Sequence, residues 1–366
     1  MRHHHSRARR LLAGILVSGL LSAATTGVAW MATADPHPAL AGPPGAQGWP
    51  EAVAVAVPGT PAPDPVSTPP AGVRRFFEEL TERQRRELAR RAPGVVGNLD
   101  GVPERLRYAA NELARRAADP DGPRPPGRLL GYDPRGDGRV IQVFGDLGSA
   151  SQVAVIVPGS GWSLPKLVAV AGRRGADPVA AARALRTEVG RLDPAARVAV
   201  VVWLGYDAPE GIDRQVMRSE RAAAGALALT RFVEGLPPTA RVSLLCHSYG
   251  AVVCGRALTA GARAGQVVAL AAPGMGARSA AELGASAQVW AARIADDPIR
   301  FAPDVRVGGF GHGADPVTPG FGARVFETGA AAGHDGYYTP ATESLGNLAR
   351  IVLDRIPEVT LVHHPR

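Results

Sequence analysis

The sequence predicts an α/β protein built on a mainly parallel sheet, and three observations predict it. Short, nearly continuous Val/Ile/Leu runs recur after residue 139, as "RVIQVF", "QVAVIV", "RVAVVVW", "RVSLLC", "QVVALA", "QVWAARIA" and "RVFETG". Such runs fit strands buried on both faces. Helical stretches at 179–191, 215–235, 249–261 and 341–354 lie between most of them, and alternation of this kind implies right-handed crossovers. Clusters of Gly, Asp and Pro follow the carboxyl ends of several runs, where α/β sheets place their sites.

Ahead of this pattern the chain divides in order. "MRHHHSRARR" is basic, and no charge follows from Leu11 to Ala34. A positive head, an apolar middle and the small residues Ala32-Thr33-Ala34 have the form of an export signal. The apolar stretch is also long enough to serve as a membrane anchor of about 20 residues. Residues 1–34 are therefore expected to be a signal peptide or anchor, and the protein secreted or held at the cell envelope. Residues 35–72 are dense in Pro and are expected to be an extended linker. Residues 73–130 are expected to be a helical region. Thr81 and Gln84 match a capping box, Pro103 suits a first helical position, and Leu106, Ala109, Ala110 and Leu113 fall on one face. These stripes need a partner, so the helices are expected to shield the site of the domain at 131–358.

Charge excludes little and suggests little. The net charge is +8, and Arg2, Arg7, Arg9 and Arg10 supply half of it. The other basic residues are Arg scattered among Glu and Asp, with Lys166 the single lysine. That is the pattern of solvated helix faces, so no nucleic-acid partner is expected. Apolar residues make up 46% of the chain, enough for a sizeable core.

The chemistry centres on "LLCHSYGAVV", where a strand runs directly into a helix. A turn this abrupt holds Ser248 in a strained conformation at the sheet's rim, in the manner of the G-x-S-x-G nucleophile elbow. Gly250 fills the second glycine position, and Cys246 stands at the first. A serine that merely caps the helix is the plain alternative. The hydrolase order is Ser, then acid, then His. "ARIADDPI" supplies Asp296 and Asp297 after a strand, with Asp297 preferred for its neighbour Pro298. "GHDGYYTP" supplies His334 after the last strand, whereas His312 precedes that strand and competes less well. A serine hydroxyl is a poor nucleophile, so His334 is expected to take its proton and Asp297 to orient the imidazole. The oxyanion requires fixed N–H donors. These are expected from Tyr249 and, after "VIVPG", from Ser160, with Gly159 letting the backbone approach and bind substrate. A flexible "PGSG" turn is the simpler account of that loop. Tyr206 is a candidate pocket residue, and His247 is expected to fill space beneath the elbow. Cys246 and Cys254 are expected to be buried and unpaired, because a bridge needs Cα atoms within about 7 Å. No spacing suggests a metal site, and no cofactor is expected.

The chain resembles the exported actinobacterial α/β-hydrolases catalogued as domain of unknown function ten twenty-three. The resemblance rests on "VVGNLDGVPERLRYAANELA", "VIVPGSG", "VWLGYDAP", "CHSYGAVV", "ADDPIRF", "HGADPVTPGFGARVF" and "HDGYYTP", from about 93 to 340. It implies an α/β-hydrolase fold preceded by a short helical region, with the triad on Ser248, Asp297 and His334. That family's elbow is similar to G-H-S-Y-G, and Cys246 departs from it. The expected function is cleavage of a small-molecule or lipid-like carboxylic ester through an acyl-enzyme on Ser248. An amidase or peptidase with the same triad, or a non-catalytic binding module on the same fold, are the alternatives.

Overall fold

The computed structural model describes residues 42–170, 177–210, 220–284, 286–304 and 311–363. By its contacts the chain divides into Met1–Leu40 and Ala41–Arg366, and every described residue belongs to the second unit. The predicted export segment lies outside the described residues. Among those described, no helix is long and apolar enough to cross a membrane.

The centre is an eight-stranded sheet of order β1-β2-β4-β3-β5-β6-β7-β8. Its strands are β1 (Arg128–Asp133), β2 (Arg139–Phe144), β3 (Gln152–Val157), β4 (Val198–Leu204), β5 (Arg241–His247), β6 (Gln266–Leu270), β7 (Gln288–Ala292) and β8 (Arg324–Val325). Only β2 runs against its neighbours, and the remaining pairings are parallel. All seven β4 residues are buried, which explains its uninterrupted apolar sequence. The seven predicted runs coincide with β2–β8. The missed strand, β1, is "RLLGYD": a glycine interrupts it and its register shifts between Leu129 and Gly131.

The helices, in chain order, are α1 (Trp49–Ala56), α2 (Pro70–Glu79), α3 (Glu82–Arg91), α4 (Pro93–Asn98), α5 (Glu104–Ala118), α6 (Leu164–Val170), α7 (Pro178–Leu192), α8 (Glu220–Gly235), α9 (Tyr249–Thr259) and α10 (Glu343–Val352). Two pairs dress the sheet, α7 with α10 and α8 with α9. After β3 the chain moves to β4 on one side, then returns past β3 to β5 on the other. The carboxyl ends of β3 and β5 therefore lie side by side where the strand order reverses, the position at which α/β sheets open a binding crevice.

The Pro-rich stretch is not an extended linker throughout. Trp49 and Val53 on α1 are fully buried with Phe77, Leu88 and Val96 in a second, smaller core. Prolines at first-turn positions of α1 and α2 are tolerated because those N–H groups have no helical partner. On α3 the predicted capping box is present, with Gln84 N donating to Thr81 Oγ1 and Thr81 N donating to Gln84 Oε1.

The α5 stripe has the predicted period but a rotated phase. Leu106 and Ala110 are buried, while Ala109 and Leu113 face solvent and Arg107, Asn111 and Arg115 turn inward. The cause is β1. Asn111 Nδ2 donates to Leu129 O at 3.1 Å. Asn98 both accepts from Tyr132 N (2.9 Å) and donates to Tyr132 O (2.8 Å), as another strand would. These side chains satisfy an edge that otherwise invites pairing. Arg107 completes the layer with a buried 2.9 Å pair to Asp100. The region therefore packs on β1 and, through α2, on α8. It contributes no residue to the cleft described below, which corrects the expectation that it shields the site.

Candidate active site

Ser248 sits between β5 and α9 with φ 53° and ψ −126°. It is one of the few non-glycine residues at positive φ, a strained conformation that persists only when the surroundings enforce it. They do so from three directions. Ser248 N donates to Leu270 O at 2.9 Å, fixing the turn to β6. A Cβ on Gly250 would lie 2.4 Å from Val157 O, so only glycine lets α9 start this close to β3. Cys246 and Cys254 form a disulfide across the turn, with Cα atoms 6.4 Å apart. The disulfide corrects the expectation of unpaired thiols. The elbow folds α9 back over β5, and a helix rises only about 1.5 Å per residue, so eight residues of sequence become a short distance. The Ser248 side chain makes no capping hydrogen bond, which rejects the capping role and leaves the hydroxyl available at the rim.

Asp297 and His334 meet after β7 and β8. His334 Nδ1 donates to Asp297 Oδ1 at 2.8 Å, which leaves Nε2 as the basic nitrogen. Asp297 is fully buried and also accepts from Ile299 N at 2.9 Å and the Tyr337 hydroxyl at 2.7 Å. Burial pulls its carboxyl upward, but the His334, Ile299 and Tyr337 hydrogen bonds outweigh it and hold the group below the usual carboxylate range. Burial likewise pulls the His334 imidazole down, and the bond and charge of Asp297 reverse this, so it titrates above an ordinary histidine.

Other predicted residues fall in distinct places. His247 is more than filler, because its Nε2 lies 2.8 Å from His334 O. A carbonyl only accepts, so Nε2 carries the hydrogen, and the residue before Ser248 thereby ties down the loop of His334. The two rings are 4.9 Å apart, and burial lowers the His247 pKa. Asp296, the rejected acid, accepts from Gly333 N at 2.9 Å and steadies the same loop. His312 lies buried behind the elbow, edge-on to Tyr249 at 5.6 Å, and is not at the rim.

On the opposite side, a Cβ on Gly159 would come 2.7 Å from Ser248 Cβ and 3.1 Å from Tyr249 N. The glycine thus admits the loop after β3 to Ser248, and the Ser160 N–H follows directly on it. Tyr249 is fully buried, and its hydroxyl accepts from Ala222 N at 3.1 Å, anchoring the start of α9 to α8. Tyr206 is not a pocket residue. It is 4% exposed and donates to Pro158 O at 2.8 Å, bracing the Gly159 loop from below. Lys166 braces the loop from outside through Gly161 O, with its ammonium 4.8 Å from the Trp162 ring centroid.

A cleft of about 730 Å³ opens beside His247 and His334, walled by Ile156, Trp162, Pro178, Ala181 and Tyr338 among others. Among the described residues, His247, His334 and Asp335 bring ligand-type atoms within 4.8 Å of one another, although His334 is already engaged with Asp297.

A family described as "Alpha/beta hydrolase" has a model that matches residues 133–307. The fold is that of an α/β-hydrolase. The match includes Ser248 and Asp297 and ends before His334. An uncharacterized protein of Mycobacterium tuberculosis is 28% identical over 79% of this chain and 57% of its own length. A second from the same organism is 35% identical over 38% of this chain and 54% of its own. The chain thus spans just over half the length of these curated relatives. Among solved structures, an α/β serine hydrolase homologue from Coxiella burnetii aligns with 60% of this chain and 92% of its own, at 12% identity and a TM-score of 0.33.

Sequence reasoning missed Tyr337 and the role of His247. Both stood in quoted motifs, "HDGYYTP" and "CHSYG", but their partners lie about 40 and about 87 residues away in sequence.

Proposed function

We propose that this α/β-hydrolase is a serine esterase that cleaves a carboxylic ester through an acyl-enzyme on Ser248. The observation that carries the proposal is the backbone of Ser248, a non-glycine residue at φ 53° with its hydroxyl released from helix capping. Stored strain of this kind clusters where a side chain must be presented to a reacting group.

Ser248 Oγ attacks the ester carbonyl as His334 Nε2 takes its proton. The imidazolium is stabilised by Asp297, which keeps its charge. The oxyanion sits against the N–H groups of Tyr249 and Ser160, at the start of α9, where the helix dipole favours negative charge. His334 then protonates the leaving alkoxide, and water repeats the sequence on the acyl-enzyme. The apolar wall formed by Ile156, Trp162 and Ala181 supports an apolar group on the ester.

The test is a series of p-nitrophenyl esters of increasing acyl length, with matched anilides, on the wild type and Ser248→Ala. Ester turnover is expected to fall about 10⁴- to 10⁶-fold in the variant, the range seen when such nucleophiles are removed. Equal rates in the two proteins would sink the reading, and anilides turned over as fast as esters would convert it to an amidase.

We also propose export through residues 1–34. The Cys246–Cys254 disulfide supports an oxidising compartment. Protein recovered from the culture medium should begin after Ala34 if the segment is cleaved, or remain with membranes if it is an anchor. Retention in the cytosol would refute both.

A further inference from the structure

We propose that Tyr337 is a positioning residue for the catalytic acid: its hydroxyl grips the second oxygen of Asp297, and the carboxylate so held fixes the ring of His334. The inference rests on the triad reading above.

Three observations carry it. Tyr337 is fully buried, so its hydroxyl must find partners inside the protein. It donates to Asp297 Oδ2 at 2.7 Å and accepts from Ile294 N at 3.0 Å. Ile294 follows β7, the strand that delivers Asp297. The hydroxyl thus pins the acid to the end of its own strand, and it comes from the loop that carries the base, three residues beyond His334. One phenol links the loop of the acid to the loop of the base. The ring adds a further constraint, packing edge-on against His247 at 6.0 Å.

The arrangement has an electronic consequence. A carboxylate that shares its charge with a phenol pulls less on an imidazolium than one whose second oxygen is bare. Tyr337 therefore tempers the effect of Asp297 on His334 and holds the base closer to neutral pH, where a general base works best. The charged or titratable groups around His334 are Asp297, Asp335 and His247, with Asp296 on Gly333 N and Asp177 across the cleft. Among the described residues, only Asp297 is hydrogen-bonded to the ring, and only Tyr337 donates a side-chain hydroxyl to Asp297.

The test uses Tyr337→Phe, which keeps the ring and its packing and removes one oxygen. The probe is a fluorophosphonate, which Ser248 attacks at phosphorus with loss of fluoride and which needs no knowledge of the substrate. The rate of labelling is followed against pH. We expect slower labelling and an acid limb moved to higher pH. The position of the limb does not depend on how much protein is folded, so a destabilised variant still reports. Site-specific 3-fluorotyrosine at 337 is a stronger donor, and the limb should move the opposite way. The imidazole titration of His334, followed by NMR in wild type and variant, reads the same shift without turnover. A Tyr337→Phe limb and rate within twofold of wild type, or a limb displaced to lower pH, would overturn the proposal. If Ser248 in the wild type resists labelling, the triad reading fails, while the NMR titration still decides the role of Tyr337.

Discussion

Asn98 and Asp297 are both polar side chains that spend their hydrogen-bonding capacity inside the protein, but on different kinds of partner. Asn98 is bound entirely to backbone: Gly94 O, Tyr132 O and Tyr132 N, all at 2.8–2.9 Å. None of these groups can move or titrate, so the contact closes an edge and does nothing else. Asp297 binds one backbone N–H, one phenol and one imidazole. The imidazole keeps a second nitrogen and is 30% exposed in the cleft. A buried polar network becomes chemistry when its last member is titratable and faces an opening. When every member ends on backbone it becomes architecture.

Two substitutions should separate these roles, and the larger effect belongs to the site. Asp297→Asn should lower ester kcat/KM by about 10⁴-fold, the loss in the serine-protease template when the acid is replaced and the imidazole takes the wrong tautomer. Its unfolding midpoint should fall by less than that of Asn98→Ala, because the amide fills the same space and one oxygen still accepts. Asn98→Ala should do the reverse. It leaves Tyr132 N and Tyr132 O without their partner, a loss of about 2–4 kcal/mol for two buried groups, while turnover per folded molecule stays at the wild-type level. Denaturant melts and phosphonate titration of active sites on the same samples measure both quantities. If Asn98→Ala slowed turnover of the folded fraction, or Asp297→Asn lost as much stability as Asn98→Ala, the division would be wrong.

The same contrast explains what could be read without coordinates. Ser248, Asp297 and His334 could be nominated because each follows a strand of recognisable pattern, where α/β sheets place their sites, and the structure joins Asp297 to His334. The Gly159–Ser160 loop was legible for the same reason. Tyr337 was not, because its function lies in a 2.7 Å contact to a residue 40 positions earlier, and its sequence neighbourhood carries no period that reports it. The face of α5 was misjudged because apolarity was taken as the mark of burial. Arg107 and Asn111 are buried to serve an edge strand that had itself escaped notice. Trp49 was lost in a Pro-rich stretch, since proline opens helices as readily as it extends linkers. The disulfide was missed because the elbow that brings the two cysteines together is a tertiary fact, although the elbow itself was read correctly.

The smallest expected effect is the dependence of stability on pH, which both regions should show in acid and the site's histidine near neutrality. Asp133, at the end of β1, is buried. Burial raises its carboxyl, but Arg135 and Arg139 more than compensate, so it lies below its ordinary value. Asp297 is depressed as well. A group whose folded pKa is lowered contributes stability above its unfolded value near 3.8, and the contribution disappears as pH falls through the folded value. Both regions therefore weaken together in acid. His334 behaves oppositely, because its folded pKa is raised above 6.5. It contributes fully below 6.5, and the contribution is lost as pH rises through the folded value. The His334 part of the unfolding free energy should then decline from pH 6 toward pH 8, against a rise from His247, whose folded pKa is lowered by burial. His334→Gln should remove that decline, and Asn98→Ala should lower the whole curve without changing it. A decline that survived His334→Gln would assign it to a group outside the triad.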